Sequence, residues 1–199
     1  MFAYVRARGH SAADAEDLTQ AFFAHFLQKR IYRAADRERG RFRCFLLTAL
    51  KNYLAHEWEK SRTAKRGGGV SFLSWEELAQ ESRVVVDSSP AVSPETAFDR
   101  RWILKVFEQA GAQLHRQFDS PERIRQFDRL KQYLSDEPAD GDYPRIAAEF
   151  DLTPNAVAAA VRRLRQKFAE LVREQVAQTV SHPQDVPTEL SHLLDTLNG

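Results

Sequence analysis

Cysteine is nearly absent from this sequence, since Cys44 is the only one among 199 residues. A lone cysteine cannot form a disulfide within the chain, and the six histidines are scattered singly, so no group of Cys and His has zinc-ligand spacing. Cys44 lies between Phe42 and Phe45 in an apolar helical pattern, which predicts a small packed side chain rather than a reactive thiol. We therefore expect no metal, no cofactor and no redox chemistry.

Long apolar runs are also missing. None approaches the roughly 18 to 20 residues that a membrane-spanning helix needs. Residues 1–10 include Arg6 and Arg8 but lack the apolar stretch and the small-residue cleavage site of a secretory signal. The sequence therefore predicts a cytoplasmic protein with no membrane association.

Alternating strand patterns of useful length are absent too, whereas helical signals occur along most of the chain. Ser11, Ser93, Ser120 and Thr153 are N-cap residues, and proline follows three of them at the first helical position. Apolar residues recur at helical spacing behind each cap and again from Phe42 onward. The fold class predicted is all-α, with helices at 12–29, from 42 through 58, and at 94–116, 121–134, 144–150 and 154–178.

Charge divides the chain unevenly, although its net value is only +1. Residues 1–69 hold 14 Lys plus Arg against 7 Asp plus Glu, a net +7, whereas residues 70–142 hold 9 against 14, a net −5. Three glycines close the basic part, and a solvated stretch with one short helix near Ser74 follows. We predict two small helical domains joined by a flexible linker: 1–69, linker 70–92, 93–180, and an amphipathic tail at 181–199.

A short helix, a tight turn and a longer helix occupy residues 144–178, which is the pattern of a helix-turn-helix. In that motif the second helix enters the major groove with its first residues nearest the bases. A plain helical hairpin with a charged face explains the spacing equally well. In both cases Ala147 lies where the helices cross, and the shared core is predicted to contain Ile146, Leu152, Val157, Val161 and Leu164.

Four segments, in the same order, resemble the extracytoplasmic-function sigma factors of bacterial RNA polymerase. Residues 143–157 (YPRIAAEFDLTPNAV) with Arg163 and Arg165 resemble region four, which contacts the minus-thirty-five element. Residues 14–20 (DAEDLTQ) resemble the acidic motif of region two that docks on core polymerase, and 42–46 (FRCFL) resemble the segment that opens and reads the minus-ten element. Within the first half, the string from Gly9 to Gly69, with 39–43 and 65–69, is particularly similar to a planctomycete-type subgroup of that family.

The resemblance implies a sigma factor that directs core RNA polymerase to promoter DNA, with no catalytic residue of its own. The implied sites are, for core polymerase, Asp14, Glu16, Asp17 and Gln20; for the minus-ten element, Arg41, Phe42, Arg43, Lys51, Asn52, Lys60, Arg62, Lys65 and Arg66; and for the minus-thirty-five element, Thr153, Asn155, Arg162, Arg163, Arg165 and Lys167. Asn52 stands where family members hold an extruded base. The basic side chains would meet phosphates, which gives affinity and salt dependence without sequence choice.

The sequence departs from the family in three places. Residues 2–8 resemble only the tail of the helix that begins region two, which suggests an N-terminally shortened chain. Ala158 and Ala160 replace basic residues common in the reading helix, and Asp151 replaces the glycine of the turn, a position that Asp tolerates in left-handed geometry. Direct readout of the minus-thirty-five element is therefore expected to be weak.

Several alternatives remain open at this level. The acidic residues of 14–17 are explained equally well by the helix dipole. The runner-up function is a polymerase-independent helix-turn-helix regulator, or a degenerate sigma-like protein that acts through protein partners. An enzyme is not expected, because 67–69 lack the Lys-Ser/Thr of a phosphate loop. The tail presents one leucine face, for which packing on 93–180 is favoured over binding a partner such as an anti-sigma protein: Leu190, Leu193, Leu194 and Leu197.

Overall fold

The computed structural model describes residues 1–65 and 92–198, and every regular element in this part of the chain is helical. The all-α prediction is confirmed there. Short 3-10 turns lie at Ile31–Ala34, Arg37–Arg39, Lys131–Leu134 and Pro183–Asp185. The α-helices of the described part are α1 (Phe2–Ala7), α2 (Ala12–Gln28), α3 (Phe42–Lys65), α4 (Pro94–His115), α5 (Pro121–Leu130), α6 (Asp142–Glu149), α7 (Pro154–Ala177) and α8 (Val186–Asn198).

The predicted helix starts are confirmed by the caps themselves. The side chains of Ser11, Ser93, Ser120 and Thr153 each accept a hydrogen bond from the backbone N–H three residues later. Such a bond satisfies one of the N–H groups that a helix leaves without a partner in its first turn. Two predictions differ at their ends. The helix predicted at 121–134 changes at Leu130 to a 3-10 turn, and the helix predicted from 42 through 58 continues to Lys65.

The first half of the chain has a core of large apolar side chains from α1, α2 and α3. Tyr4, Phe22 and Leu50 are almost fully buried in it. Phe98 of α4 belongs to the same core, and α1 packs directly against α4. The apolar face of α4 therefore contributes to the packing of both halves of the sequence.

The second core joins α4, α5, α6, α7 and α8. Of the predicted helix-turn-helix core, Ile146, Val157, Val161 and Leu164 are buried as expected. The prediction for Leu152 is wrong, since 37% of it is exposed. Leu152 lies in the turn between α6 and α7, where the chain has not yet entered the helical register that turns its apolar residues inward.

The tail forms α8 and packs against α4 and α7, as favoured from its leucine face. Leu193 is fully buried, Leu190 and Leu197 are partly buried on the second core, and Leu194 remains 41% exposed. The division into two domains stays a prediction. Most of the predicted linker, residues 70–91, and the short helix near Ser74 lie outside the described residues.

Candidate nucleic-acid interface

Helices α6 and α7 are joined by a short turn, as the sequence predicts, an arrangement that both a helix-turn-helix and a plain helical hairpin share. Asp151 has a φ of 53°, which places it in the left-handed region and turns the chain sharply between the helices. The Leu152 N–H donates to the Ala147 carbonyl at 2.8 Å, and Thr153 Oγ1 accepts from the Ala156 N–H at 3.2 Å. The turn and the start of α7 are thus fixed by local hydrogen bonds, so Thr153 acts as a cap here.

The first turns of α7 expose Asn155, Arg162 and Arg163, which lie on its outer side. Within residues 1–65 and 92–198, neither of these two arginines makes a hydrogen bond or an ion pair. Ala158 and Ala160, earlier on the helix, are half-buried. The outer side of α7 therefore presents two cations and one amide, a surface suited to phosphates more than to a series of base edges.

Arg165 and Lys167, also predicted to bind the minus-thirty-five element, already have partners. Arg165 donates from Nε to the Tyr133 carbonyl at 2.6 Å and from Nη2 to the Asp136 carbonyl at 2.8 Å. These bonds hold the end of the 3-10 turn at Lys131–Leu134 against α7. Lys167 Nζ lies 3.1 Å from Glu170, but both side chains are more than 40% exposed, so this ion pair is weak.

Helix α2 carries the residues predicted to bind core polymerase. Asp14 belongs to the cap, because its backbone N–H donates to Ser11 Oγ at 3.1 Å and its carboxylate accepts from the same hydroxyl at 2.6 Å. Glu16, Asp17 and Gln20 are exposed. Asp17 has no hydrogen-bond or ion-pair partner among the described residues.

Two exposed apolar residues on the same helix were not predicted from the sequence as part of a site. Phe23 is 41% exposed and Leu27 is 62% exposed. They continue the line of Glu16 and Gln20 at helical spacing, so one face of α2 carries a stripe that is acidic at one end and apolar at the other. We call these four residues the α2 stripe. The spacing was visible in the sequence, but the burial of the neighbouring Phe22 and Phe26 was needed to show which phenylalanine faces outward.

The start of α3 gives the largest departure from the predicted site. Arg43 is only 4% exposed, and its Nε lies 2.9 Å from Glu189 Oε1 while Nη1 contacts Asp99. Arg41 Nη1 lies 2.8 Å from the other oxygen of Glu189, and His192 Nε2 lies 3.1 Å from Asp99 Oδ2. We call these five residues the Arg43 ion cluster. In this arrangement Arg43 is not accessible to a phosphate, because its side chain is buried and its guanidinium group already binds two carboxylates.

The cluster balances two guanidinium groups with two carboxylates. Burial by itself opposes the charge of Arg43, but the hydrogen bond and charge of Glu189 and the charge of Asp99 outweigh burial and raise the pKa of Arg43 above its ordinary value. Removing one partner of such a buried pair costs about 3–5 kcal/mol, because an uncompensated charge is left inside. The cluster thus ties α3, α4 and α8 together.

Hydrogen bonds beside the cluster join the start of α3 and the 3-10 turn before it to the end of α7 and the residues that follow it. The Phe42 N–H, at the start of α3, donates to the Thr179 carbonyl at 2.8 Å. Arg37 donates to the carbonyls of Ala177 at 2.8 Å and Val180 at 3.2 Å. The N–H at the start of α3 has no partner within that helix, and the Thr179 carbonyl just after α7 accepts it. The positive end of the α3 dipole thus lies near the negative end of the α7 dipole.

The sequence did not predict a role for three residues that hold the start of α3 in place: Asp99, Glu189 and Arg37. Glu189 precedes Leu190 and Leu193 on the same side of α8, so a carboxylate within the leucine face was visible. A carboxylate in that position needs a buried partner. Its partner Arg43 lies 146 residues away, and no local pattern identifies it.

The other predicted minus-ten residues are more exposed. Lys51 Nζ lies 2.6 Å from Glu95 at the first turn of α4, and this hydrogen bond lowers the pKa of Glu95. Lys60 pairs with Glu57 on the same helix. Arg62 and Lys65 lie within α3, where the structure does not describe their side chains, and Arg66 lies outside the described residues.

Asn52 is exposed and opens onto a half-enclosed cavity of about 460 Å³. The lining is mostly apolar and includes His25, Phe45 and Tyr53. The buried ring of Phe22 packs edge-on against the ring of Tyr53, with 5.7 Å between the two ring centroids. A larger cavity of about 810 Å³ lies beside the start of α3 and borders Cys44. Cys44 is exposed there, so its predicted packing is wrong; Phe42, beside it, is 36% exposed.

Two further findings bear on the kind of site. No three His, Cys, Asp or Glu side chains of the described residues lie close enough to hold a metal ion, and none of the helices described has the length and apolarity to span a bilayer. A comparison of the chain with protein-family models, with curated proteins and with solved structures finds no match.

Proposed function

We propose that this protein is a sigma-type transcription initiation factor, which binds core RNA polymerase in the cytoplasm and directs it to promoter DNA. In this proposal residues 1–69 dock on the polymerase and open the minus-ten element, and the helix-turn-helix of α6 and α7 contacts the minus-thirty-five element. The protein has no catalytic residue in this scheme, because the polymerase performs the chemistry.

The observation that carries the proposal is the exposed Asn52 at the mouth of an aromatic-lined cavity. Opening DNA requires unstacking a base, and the cost is offset when the base enters a pocket with stacking surfaces and a hydrogen-bonding group. Asn52 supplies both a donor and an acceptor, and Tyr53 and His25 supply ring faces. A protein that only binds duplex DNA has no need of such a cavity.

Docking on polymerase is supported by the α2 stripe. Its acidic end fits a basic surface, and Phe23 and Leu27 offer apolar area that nothing in the described chain covers. A surface of this composition, acidic at one end and apolar at the other, suits a helical partner such as one from the large subunit of the polymerase.

A second candidate function is a helix-turn-helix regulator that binds DNA without polymerase. It is favoured by one observation: Arg162 and Arg163 of α7 are without partners among the described residues, whereas Arg41 and Arg43 of α3 are engaged by Glu189. Titration with core polymerase separates the two functions, because only the sigma factor binds it.

Asn52→Ala tests the proposal at its central residue. We expect open-complex formation, measured by permanganate reactivity of unpaired thymines, to fall about tenfold, since one base loses its hydrogen bonds in the cavity. Affinity for core polymerase should stay within twofold of the parent. Thr48→Ala is the matched control, because Thr48 borders the same cavity one turn earlier on α3. Equal permanganate reactivity in Asn52→Ala and the parent would remove the base-holding role.

A further inference from the structure

The start of α3 is held by groups from the opposite end of the sequence. Glu189 of α8 contacts both Arg41 and Arg43 with its two carboxylate oxygens, and it is itself fully buried. The carbonyl of Thr179, just after α7, accepts the first N–H of α3. Residues 178–198 therefore lie directly on two of the side chains that, in the proposed function, meet the phosphates of the minus-ten DNA, Arg41 and Arg43.

Glu189 presents to these arginines the same chemistry that a phosphate would present. A carboxylate and a phosphate both offer anionic oxygens at a spacing that a guanidinium group matches with two hydrogen bonds. Arg43 directs Nε and Nη2 to Glu189 and Nη1 to Asp99, so no face of its guanidinium group remains for DNA. Arg41 keeps 33% exposure but shares its inner side with Glu189.

We propose that residues 178–198 form an autoinhibitory strap, which competes with promoter DNA for Arg41 and Arg43 through Glu189 and is displaced when DNA binds. The inference rests on the proposed function, because it assumes that the start of α3 contacts DNA. The guanidinium group of Arg43 cannot satisfy Glu189 and a phosphate together, so strap docking and DNA binding at Arg43 exclude one another.

Exchange between the two partners is energetically reasonable. A buried ion pair gains little net stability, since the cost of removing both charges from water offsets their attraction. Phosphates of a nucleic acid can replace the carboxylate while counterions are released to solvent. The leucine face of α8 also packs on α4 and α7 without help from α3, so the contact with α3 can be lost separately.

The test compares Glu189→Gln with Glu108→Gln in the full chain. Both substitutions remove one negative charge, but Glu108 is exposed on α4 and pairs there with Lys105. The probe is a fluorescently labelled single strand of oligo(dT), because phosphate contacts need no sequence, and affinity is measured by anisotropy at low salt. We expect Glu189→Gln to bind about tenfold more tightly than the parent and Glu108→Gln to differ less than twofold.

Equal affinities of Glu189→Gln and Glu108→Gln would overturn the strap while leaving DNA binding by the parent intact. If no protein binds the strand, alone or with core polymerase, the proposed function fails and the strap fails with it. Hydrogen exchange on the unaltered protein decides the matter if Glu189→Gln does not fold. Oligo(dT) should then accelerate amide exchange in residues 186–198, which lose their contact with α3, by linkage. Unchanged or slower exchange in that segment would overturn the strap.

Discussion

Arginine side chains of this protein differ mainly in what already occupies their donors. Arg43 and Arg165 direct their guanidinium groups inward, to carboxylates and to backbone carbonyls. Arg162 and Arg163 project from α7 and contact no acceptor within the described residues. The sequence places all four in basic stretches, so only the tertiary structure separates arginines that hold the fold from arginines that can bind a ligand.

Arg165→Ala and Arg162→Ala should affect different properties, the first the stability of the fold and the second the binding of DNA. We expect Arg165→Ala to lower the free energy of unfolding by about 1–3 kcal/mol, because the carbonyls of Tyr133 and Asp136 lose a charged donor. Arg162→Ala should change it by less than about 0.5 kcal/mol, yet reduce the salt slope of duplex DNA binding by roughly one unit. Urea unfolding and salt-dependent titrations measure the two effects. Equal loss of stability in both variants would contradict the assignment of Arg165 as a fold-holding residue.

The helices themselves were largely predictable because their signals are local. A serine or threonine cap and an apolar residue every third or fourth position, with a proline after the cap in α4, α5 and α7, are enough to find α2, α4, α5 and α7 with ends correct to a few residues. The outward side of a helix is harder to predict. In α2, Phe22 and Phe23 are chemically identical, and only their packing shows that the second faces out.

Substitutions on α2 test whether its stripe is a docking surface. Asp17→Lys, beside the α2 stripe, and Phe23→Ser, within it, are each expected to weaken binding to core polymerase by about tenfold, since the first reverses an exposed charge next to the acidic end and the second removes apolar area. Asp17 is better suited than Asp14, whose carboxylate belongs to the cap. Asp140→Lys supplies the same charge change in an exposed loop and should leave affinity unaltered. Polymerase affinity that is equal in all three variants would exclude the stripe from the interface.

At the scale of the whole molecule, the sequence predicts the segments but not how they meet. Nothing local relates Arg43 to Glu189, or the Phe42 N–H to the Thr179 carbonyl, because these pairs are more than 130 residues apart. The net +7 of residues 1–69 predicts strong electrostatic binding to DNA. Part of that charge is neutralised within the fold by carboxylates of α4 and α8, so the affinity for DNA is expected to depend on the conformation of the chain.

The most direct test of the central claim is run-off transcription in vitro with purified core RNA polymerase, on a template that carries the promoter of the protein's own operon. We expect a specific transcript that requires the protein, is strongly reduced by Asn52→Ala and Asp17→Lys, and is unaffected by Thr48→Ala. A protein that binds this template but yields no transcript and no complex with core polymerase would contradict the sigma function and favour the polymerase-independent regulator.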